Sequence, residues 1–205
     1  MAQYRTIAGE SSFEYEEKRS RFIGLAAHAA TEEEALAVLG RVRAANRTAR
    51  HNVYAYVLRE GGRTRYSDDG EPAKTAGTPV LEAIGHAELT DVIVVVTRYF
   101  GGILLGTGGL VRAYTAAAAG ALQAAEVVTV QEIVDCTLRL PYPLFESAQR
   151  MILQAGAKPG EPVFDDAVTL QWRMPAGQEG PLCAALTELT RGAAPTVGKP
   201  RFDAF

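Results

Sequence analysis

The stretch from Val92 to Ala125 constrains the fold more than any other part of the chain. Its first part, Val92-Ile-Val-Val-Val96, is an unbroken β-branched run, which predicts a strand buried on both faces. Its last part, Leu110 to Ala125, is rich in alanine and leucine and predicts a helix. The loop between the two predicted elements contains a cluster of glycines: Gly101, Gly102, Gly106, Gly108 and Gly109.

Strand, loop and helix start together suggest an anion site, because the first N–H groups of a helix are unpaired and the helix dipole is positive there. Arg98 and Arg112 flank the loop and would add positive charge. The loop has neither the Gly-Lys-Ser/Thr ending of a phosphate loop nor the Gly-x-Gly-x-x-Gly spacing of a dinucleotide site. A tight strand-to-helix connection without a ligand is therefore an equally good interpretation of the spacing.

The composition is that of an ordinary soluble protein. The 205 residues carry a net charge of −3, so the chain as a whole does not attract nucleic acid. Cys136 and Cys183, the two cysteines, fall inside a predicted strand and a predicted helix, which fits a reducing cytoplasm and two buried, inert thiols. The N-terminus has no apolar signal core, and no apolar run is long enough to span a bilayer. We therefore expect a cytoplasmic protein with no membrane contact.

Positive charge is nevertheless concentrated locally. Glu60 is the only acidic residue between Arg41 and Arg65, a segment that holds seven arginines. Arg50 and His51 lie within it, next to a predicted strand over 53–58. A local basic face on a mildly acidic protein indicates nucleic-acid binding, and the alternative is a solvated, arginine-rich surface. Aromatic rings near these arginines could stack on bases, although aromatics at strand spacing more often belong to a core. These rings are Tyr54, Tyr56, Tyr66, Tyr99 and Phe100.

The rest of the first half predicts short elements around this centre. Residues 4–28 predict one or two strands with a basic turn at Lys18–Arg21. Thr31 begins a helix, and Glu34 completes a capping box with it. A second helix runs from Pro79 to His86. The predicted buried stripe of the first helix consists of Ala35, Leu36, Val38, Leu39 and Val42.

An acidic, turn-rich loop precedes the second helix. Its Asp68, Asp69 and Glu71 could ligate a hard cation through oxygen, but the spacing is not that of a calcium loop and an Asp-Asp-Gly turn needs no metal. The three histidines are scattered and have no metal-binding spacing. No nucleophile is paired with a base. The sequence thus predicts no metal site, no catalytic residue and no cofactor.

A domain boundary is expected at residues 127–132, which gives domains 1–130 and 131–205. After it the pattern restarts as a strand over 133–140, a helix over 143–155, two short strands, a helix over 180–190 and a last strand over 196–205. This βαββαβ order predicts a ferredoxin-like domain, a common interaction scaffold. The fold class expected for the whole chain is α+β.

Several segments together resemble the YigZ/IMPACT family. Their order and spacing cover residues 18 to about 114, and the set is far more specific than any single motif. The segments are Lys18-Arg-Ser-Arg-Phe22, His51-Asn-Val-Tyr-Ala-Tyr56, Ser67-Asp-Asp-Gly-Glu-Pro72 with Thr75-Ala-Gly77, and Arg98-Tyr-Phe-Gly-Gly102 through Leu105-Gly-Thr-Gly-Gly-Leu-Val-Arg-Ala-Tyr114. The second domain is similar to the ferredoxin-like domains of elongation factor G.

The resemblance implies an N-terminal domain with the ribosomal protein S-five domain 2-like fold, which small-molecule kinases share. Eukaryotic members named IMPACT are regulators of translation that bind a ribosome-associated activator of a stress kinase. Two-domain bacterial members have been proposed to bind nucleic acid or the ribosome. The chain departs from the expected pattern twice, because Ala73-Lys74 replaces Ser-Gly and Leu104 replaces a lysine. The second change removes a candidate phosphate contact, whereas Lys74 would restore charge nearby.

Three hypotheses follow. The leading one is a cytoplasmic, non-enzymatic regulator of translation that binds RNA or the ribosome. Its expected contacts are Arg98, Gly101, Gly102, Gly106, Gly108, Gly109, Arg112, Arg50, His51 and Lys74. The second is an enzyme acting on a phosphorylated small molecule, with the glycine loop holding phosphate and the acidic loop holding magnesium or acting as a base. The third is a protein-interaction adaptor that uses the ferredoxin-like domain. The sequence does not predict the oligomeric state.

Overall fold

A five-stranded antiparallel sheet forms the centre of the first of two units. The structure, a computed structural model, describes residues 3–205 and divides the chain into one unit over 4–128 and a second over 129–205, to which residue 3 also belongs. In the first unit the elements are β1 (Gln3–Ala8), β2 (Glu10–Glu17), β3 (Ser20–His28), α1 (Glu32–Ala45), β4 (His51–Leu58), β5 (Arg63–Ser67), α2 (Gly77–His86), β6 (Val92–Tyr99) and α3 (Thr107–Gln123). The strand order in this sheet is β2-β3-β6-β4-β5.

Strand β6 is buried on both faces, as the sequence predicts. Val92, Val94 and Val96 face one apolar core, which α2 and α3 cover. Ile93 and Val95 face a second core, which α1 covers. The two-sided burial explains why an antiparallel strand carries a continuous apolar run instead of an alternating one.

Helix α1 begins as predicted. Thr31 is its N-cap and accepts a hydrogen bond from the backbone N–H of Glu34 at 3.2 Å, while the Glu34 carboxylate accepts one from the N–H of Ala30 at 2.7 Å. The buried stripe consists of Ala35, Val38, Leu39 and Val42. The prediction for Leu36 is wrong, because this side chain is 43% exposed.

The N-terminal segment forms three strands, β1, β2 and β3, where the sequence predicted one or two. The basic turn predicted between strands is confirmed. Lys18 and Arg19 both have positive φ, 48° and 64°, and connect β2 to β3 as a two-residue hairpin. A left-handed turn at two basic residues holds both side chains at the end of the sheet.

The second unit follows the βαββαβ plan. Its elements are β7 (Glu126–Leu140), α4 (Phe145–Gln154), β8 (Lys158–Pro159), β9 (Val163–Phe164), β10 (Val168–Pro175), α5 (Glu179–Leu189), β11 (Thr196–Val197) and β12 (Arg201–Ala204). β10 pairs antiparallel with β7, β8 and β9, and both C-terminal strands pair antiparallel with β7. Apolar residues of β7, β10 and the two helices form the core.

Two sequence-based boundaries in the second unit change. The strand predicted to start at residue 133 begins at Glu126, so the segment expected to separate the domains is itself strand. The predicted last strand is two short strands, β11 and β12. The α+β fold class is confirmed. None of the helices in the described part of the chain is long and apolar enough to cross a membrane.

Candidate nucleic-acid interface

The separate sequence segments that resemble one family meet at one end of the first unit's sheet. Arg98, near the end of β6, is the register partner of Phe22 on β3 and of His51 on β4. The acidic loop after β5 brings Glu71 onto Arg98, and α3 brings Tyr114 onto Glu71. Residues that lie up to 92 positions apart in the sequence, from Phe22 to Tyr114, therefore surround one guanidinium group.

At the centre of this end lies a buried ion pair. Arg98 Nη1 is 2.6 Å from Glu71 Oε1, and the two side chains are 7% and 4% exposed. The Tyr114 hydroxyl donates to the same carboxylate oxygen at 2.8 Å. The pKa of Tyr114 is raised well above its usual value, mainly because the side chain is buried and secondly because the Glu71 carboxylate lies beside it. The hydroxyl therefore stays protonated and remains a donor. Arg98 is thus buried and paired inside the protein, and its predicted role as a direct phosphate contact stays a prediction.

Two aromatic rings complete the surroundings of Arg98. Its guanidinium carbon lies 5.5 Å from the ring centroid of Phe22 and 5.5 Å from that of Phe100. Phe22 is fully buried, whereas Phe100 is 51% exposed. Arg98 Nε is buried and has no hydrogen-bond partner within residues 3–205. The guanidinium is therefore held by one carboxylate and by cation–π contacts.

His51 joins the acidic loop to this centre. Its Nδ1 lies 2.9 Å from the backbone oxygen of Asp69, an arrangement in which the ring nitrogen donates. Its Nε2 is 4.0 Å from Glu71 Oε1. His51 is therefore held against the acidic loop on both sides of its ring, and a structural role accounts for both contacts.

The carboxylates of the acidic loop accept hydrogen bonds that stabilise the loop and attach it to the sheet. Asp68 accepts backbone hydrogen bonds from Lys74, Ala76 and Gly77, at 3.0, 3.1 and 2.8 Å. Asp69 accepts from the backbone N–H of Asn52 at 2.7 Å and forms a 2.8 Å ion pair with Arg43. No group of three or more potential metal ligands occurs among the described residues. Asp68, Asp69 and Glu71 thus act as loop-forming acceptors, which the sequence did not reveal.

The first glycine of the loop permits a close approach between two chain segments. A Cβ on Gly101 would collide with the backbone carbonyl of Arg19, and the Gly101 N–H donates to Ser20 Oγ at 3.1 Å. The hairpin turn of the Lys18–Phe22 segment and the start of the glycine loop are therefore one packed structure. Only glycine fits this contact.

The later glycines shape the start of α3. Gly106 is its N-cap with a φ of 74°, and no side chain caps the helix. Gly109 is buried against Leu105, whereas Gly102 and Gly108 are exposed. The helix start is thus open, as the sequence predicted, but the loop geometry alone accounts for these glycines.

Exposed positive charge surrounds the buried centre. Four basic side chains, here called the basic rim, are exposed and form no ion pair within residues 3–205: Lys18, Arg19, Arg47 and Arg50. Arg19 packs its backbone on Gly101, and Arg50 directly precedes His51, the register partner of Arg98. Arg47 follows Asn46, which accepts a 2.7 Å hydrogen bond from the Tyr99 hydroxyl. These contacts place the rim where β6 enters the glycine loop.

The basic segment from Arg41 to Arg65 does not form a single face. Arg43 pairs with Asp69, and both Arg63 and Arg65 pair with Glu32. Arg41 pairs with Glu10 and Arg59 with Asp91. Of the seven arginines, Arg47 and Arg50 lack such a partner in the described chain. The sequence cannot separate the two groups, since every acidic partner lies outside the segment.

Comparisons with known proteins match the part of the chain that contains these converging segments. The family model described as Impact N-terminal domain matches residues 18–122, which include all the converging segments. A relative from Thermus thermophilus, named IMPACT family member in pol 5′region, is 44% identical over 176 residues, covering 85% of this chain and 96% of that protein. The chain belongs to the IMPACT family.

Other comparisons extend the IMPACT match to the second unit. The model described as Domain of unknown function (DUF1949) matches residues 138–193. IMPACT family member YigZ of Escherichia coli is 36% identical over 182 residues, covering 86% of this chain and 88% of that protein. A crystal structure described as that of a hypothetical protein matches with a TM-score of 0.63 at 32% identity, covering 100% of this chain and 98% of the other.

The two departures from the expected IMPACT pattern lie on the surface. Leu104, at the position of an expected lysine, is 82% exposed. Lys74 is exposed with a φ of 63°, and Arg112 lies on α3 beside Gly108. Neither Lys74 nor Arg112 forms an ion pair in the described part of the chain. Both remain available as predicted cationic contacts.

The cysteines and most of the predicted stacking rings take structural positions. Cys136 and Cys183 are free thiols, and burial raises the pKa of Cys136 to about 12. Cys183 is only half-buried, so its predicted burial is incomplete. Tyr54 and Tyr56 belong to the core beneath α1. Of the candidate stacking rings, Phe100 and Tyr66 are the exposed ones.

Proposed function

We propose that this IMPACT family member is a non-enzymatic, cytoplasmic regulator of translation that binds RNA, free or within the ribosome, through the basic rim. The observation that carries this proposal is the set of unpaired cations around the buried Arg98–Glu71 pair. The link to translation rests on the family resemblance, which implies a role in the regulation of translation.

The physical basis is phosphate neutralisation. Lys18, Arg19, Arg47 and Arg50 have no carboxylate partner to displace, so each can approach a phosphate without losing an existing ion pair. Binding of this kind releases counterions from the nucleic acid and weakens steeply as salt rises. Phosphate contacts of this kind do not discriminate between base sequences, because phosphates are the same in every sequence. A local rim also explains how a chain of net charge −3 can bind a polyanion.

The test is the salt dependence of RNA binding, measured by filter binding with a labelled single-stranded RNA. Arg19→Ala combined with Arg50→Ala should weaken binding at low salt. For a single strand, the slope of log K against log salt should become shallower by about 1.4, since each lost phosphate contact contributes roughly 0.7. Absence of saturable binding by the unmodified protein at low salt would refute the proposal.

A matched control removes the same charge elsewhere. Arg63→Ala combined with Arg65→Ala changes the net charge equally, but both arginines pair with Glu32. Arg63 is the register partner of Leu58, at the far end of β4 from His51, a distance of roughly 23 Å along the strand. An equal loss in the two double variants would mean that net charge, and not the basic rim, determines binding.

The alternative enzyme hypothesis has less support. It needs free carboxylates beside the glycine loop, whereas Asp68, Asp69 and Glu71 are occupied by protein donors. Glu71 contacts α3 at Tyr114, roughly 10 Å along the helix from its first residue. A cavity of about 450 Å³ lies instead between α2 and α3 and is lined by none of the predicted anion-site residues. We therefore place phosphate recognition on the surface.

A surface of the second unit favours an additional protein contact, as the adaptor hypothesis requires. Tyr142 and Phe164 are 50% and 54% exposed and stack at 6.2 Å, with Phe145 packed edge-on against Phe164. Co-sedimentation with ribosomes separates the two functions. If Tyr142→Ala with Phe164→Ala abolishes sedimentation and leaves RNA binding unchanged, the second unit contributes a protein contact. If sedimentation persists, it does not.

A further inference from the structure

We infer that Phe100 is a stacking platform for an unpaired base, so that the site takes single-stranded rather than duplex RNA. This inference rests on the RNA binding proposed above and names the form of RNA bound. It is carried by the position of one exposed aromatic ring between a buried cation and the basic rim.

The Phe100 ring has one face supported from within the protein. The Arg98 guanidinium lies over the ring at 5.5 Å, and Arg98 is itself fixed by Glu71 at 2.6 Å. The ring is still 51% exposed. A large aromatic side chain with a cation on one side and solvent on the other leaves its open face for a partner ring. Bases are such partners, because every base has a π-face.

The backbone holds Phe100 on both sides. Tyr99, just before it, ends β6, and its hydroxyl donates to Asn46 at 2.7 Å. Gly101, just after it, donates to the fully buried Ser20 at 3.1 Å and packs against the Arg19 carbonyl. The platform is therefore ordered before a ligand arrives, which lowers the entropy cost of binding.

Two residues of the basic rim lie next to this platform. The Arg19 backbone touches Gly101, and Lys18 is the other residue of the same turn. A nucleotide stacked on Phe100 would have its phosphates close to these two cations. In a duplex, both faces of a base are covered by neighbouring bases, so stacking on a side chain requires an unpaired nucleotide. The combination selects single strands, loops or ends.

The experiment compares a labelled single-stranded RNA with the same strand annealed to its complement, by fluorescence anisotropy at low salt. We expect the 205-residue chain to bind the single strand more tightly than the duplex. Phe100→Ala should weaken single-strand binding about 5- to 150-fold, the range measured for loss of one base–aromatic stack. Phe100→Trp should keep the affinity, and Phe100→Leu should lose most of it although the side chain stays apolar.

The matched control is Leu104→Ala. Leu104 is an apolar residue of the same loop and is 82% exposed, so its removal should leave affinity unchanged if stacking, and not apolar contact, matters. Thermal unfolding should confirm that each variant remains folded. Equal binding of duplex and single strand, or an unchanged affinity of Phe100→Ala, would overturn the stacking role while leaving rim-mediated RNA binding in place. If neither RNA binds, both proposals fall.

Discussion

Arg98 and Arg50 lie at the same end of the same sheet, yet the fold uses them in opposite ways. The Arg98 side chain is 7% exposed, is paired with Glu71 and lies 5.5 Å from the ring centroid of Phe100. Arg50 is exposed and has no acidic partner among residues 3–205. Only Arg50 presents its side chain to solvent. The chemical type of a residue therefore predicts its charge, whereas burial decides whether that charge is structural or available.

The energetics of the two arginines differ for the same reason. Transfer of a guanidinium out of water costs several kcal/mol, and a buried pair recovers this only through close contact and hydrogen bonds. The Arg98–Glu71 pair is close, and Tyr114 adds a donor to the carboxylate. Arg50 remains hydrated and contributes little to stability. Variants at the centre should thus change folding, and variants at the rim should change binding.

The largest expected effect is that of Glu71→Ala. It leaves the Arg98 guanidinium buried without a counter-charge, which should lower the free energy of unfolding by about 3–5 kcal/mol. Chemical denaturation with urea measures the change. Glu60→Ala is the control, since Glu60 is exposed in the turn after β4 and its loss should cost less than about 0.5 kcal/mol. Similar costs for both variants would contradict a structural role for the ion pair.

A smaller effect is expected from Tyr114→Phe. This change removes the 2.8 Å hydrogen bond to Glu71 and keeps the ring that packs edge-on against Phe22. Hydrogen bonds to charged groups contribute about 1.5–3 kcal/mol, so urea denaturation should show a loss in that range. Tyr66→Phe, at a 41% exposed position, should be neutral. A neutral Tyr114→Phe would show that the hydroxyl is dispensable to the buried pair.

The structural features that the sequence predicts correctly are those that depend on short-range patterns. The apolar run of β6, the Thr31 capping box and the turn at Lys18 each depend on residues close together in the chain. The failures have long-range causes. Leu36 fits the helical period of the buried stripe, but its side chain lies outside the area that the sheet covers. The segment from Glu126 to Glu132 is a strand because it pairs with other strands, and its mixed composition does not indicate this pairing.

The sequence does not predict how the residues of the candidate site contact one another, for a related reason. Motifs in the sequence indicate these residues, but their roles depend on contacts across the fold. Glu71 and Arg98 are 27 positions apart, and Tyr114 is a further 16 beyond Arg98. Nothing in either segment shows that they neutralise each other. The co-occurrence of four separate segments does indicate a shared site, because segments that belong to one family pattern are expected to meet in space.

The smallest effect on stability is expected from Leu104→Lys, which adds an exposed cation to the same end of the sheet as Arg50. Leu104→Lys restores the lysine expected from the family pattern at a position that is 82% exposed. It should leave the free energy of unfolding within about 0.5 kcal/mol, because a new surface charge there disturbs no packing. If the new cation meets a phosphate, the slope of log K against log salt should steepen by about 0.7 for single-stranded RNA.

The control for this change is Leu153→Lys, which adds the same charge at a 56% exposed leucine on α4 of the second unit. Filter binding across a salt series measures both variants. A gain confined to Leu104→Lys would place the RNA backbone beside the glycine loop, next to Phe100 and the basic rim. Equal gains would instead assign the effect to net charge. The exposed end of the sheet would then attract RNA without holding it in a defined position.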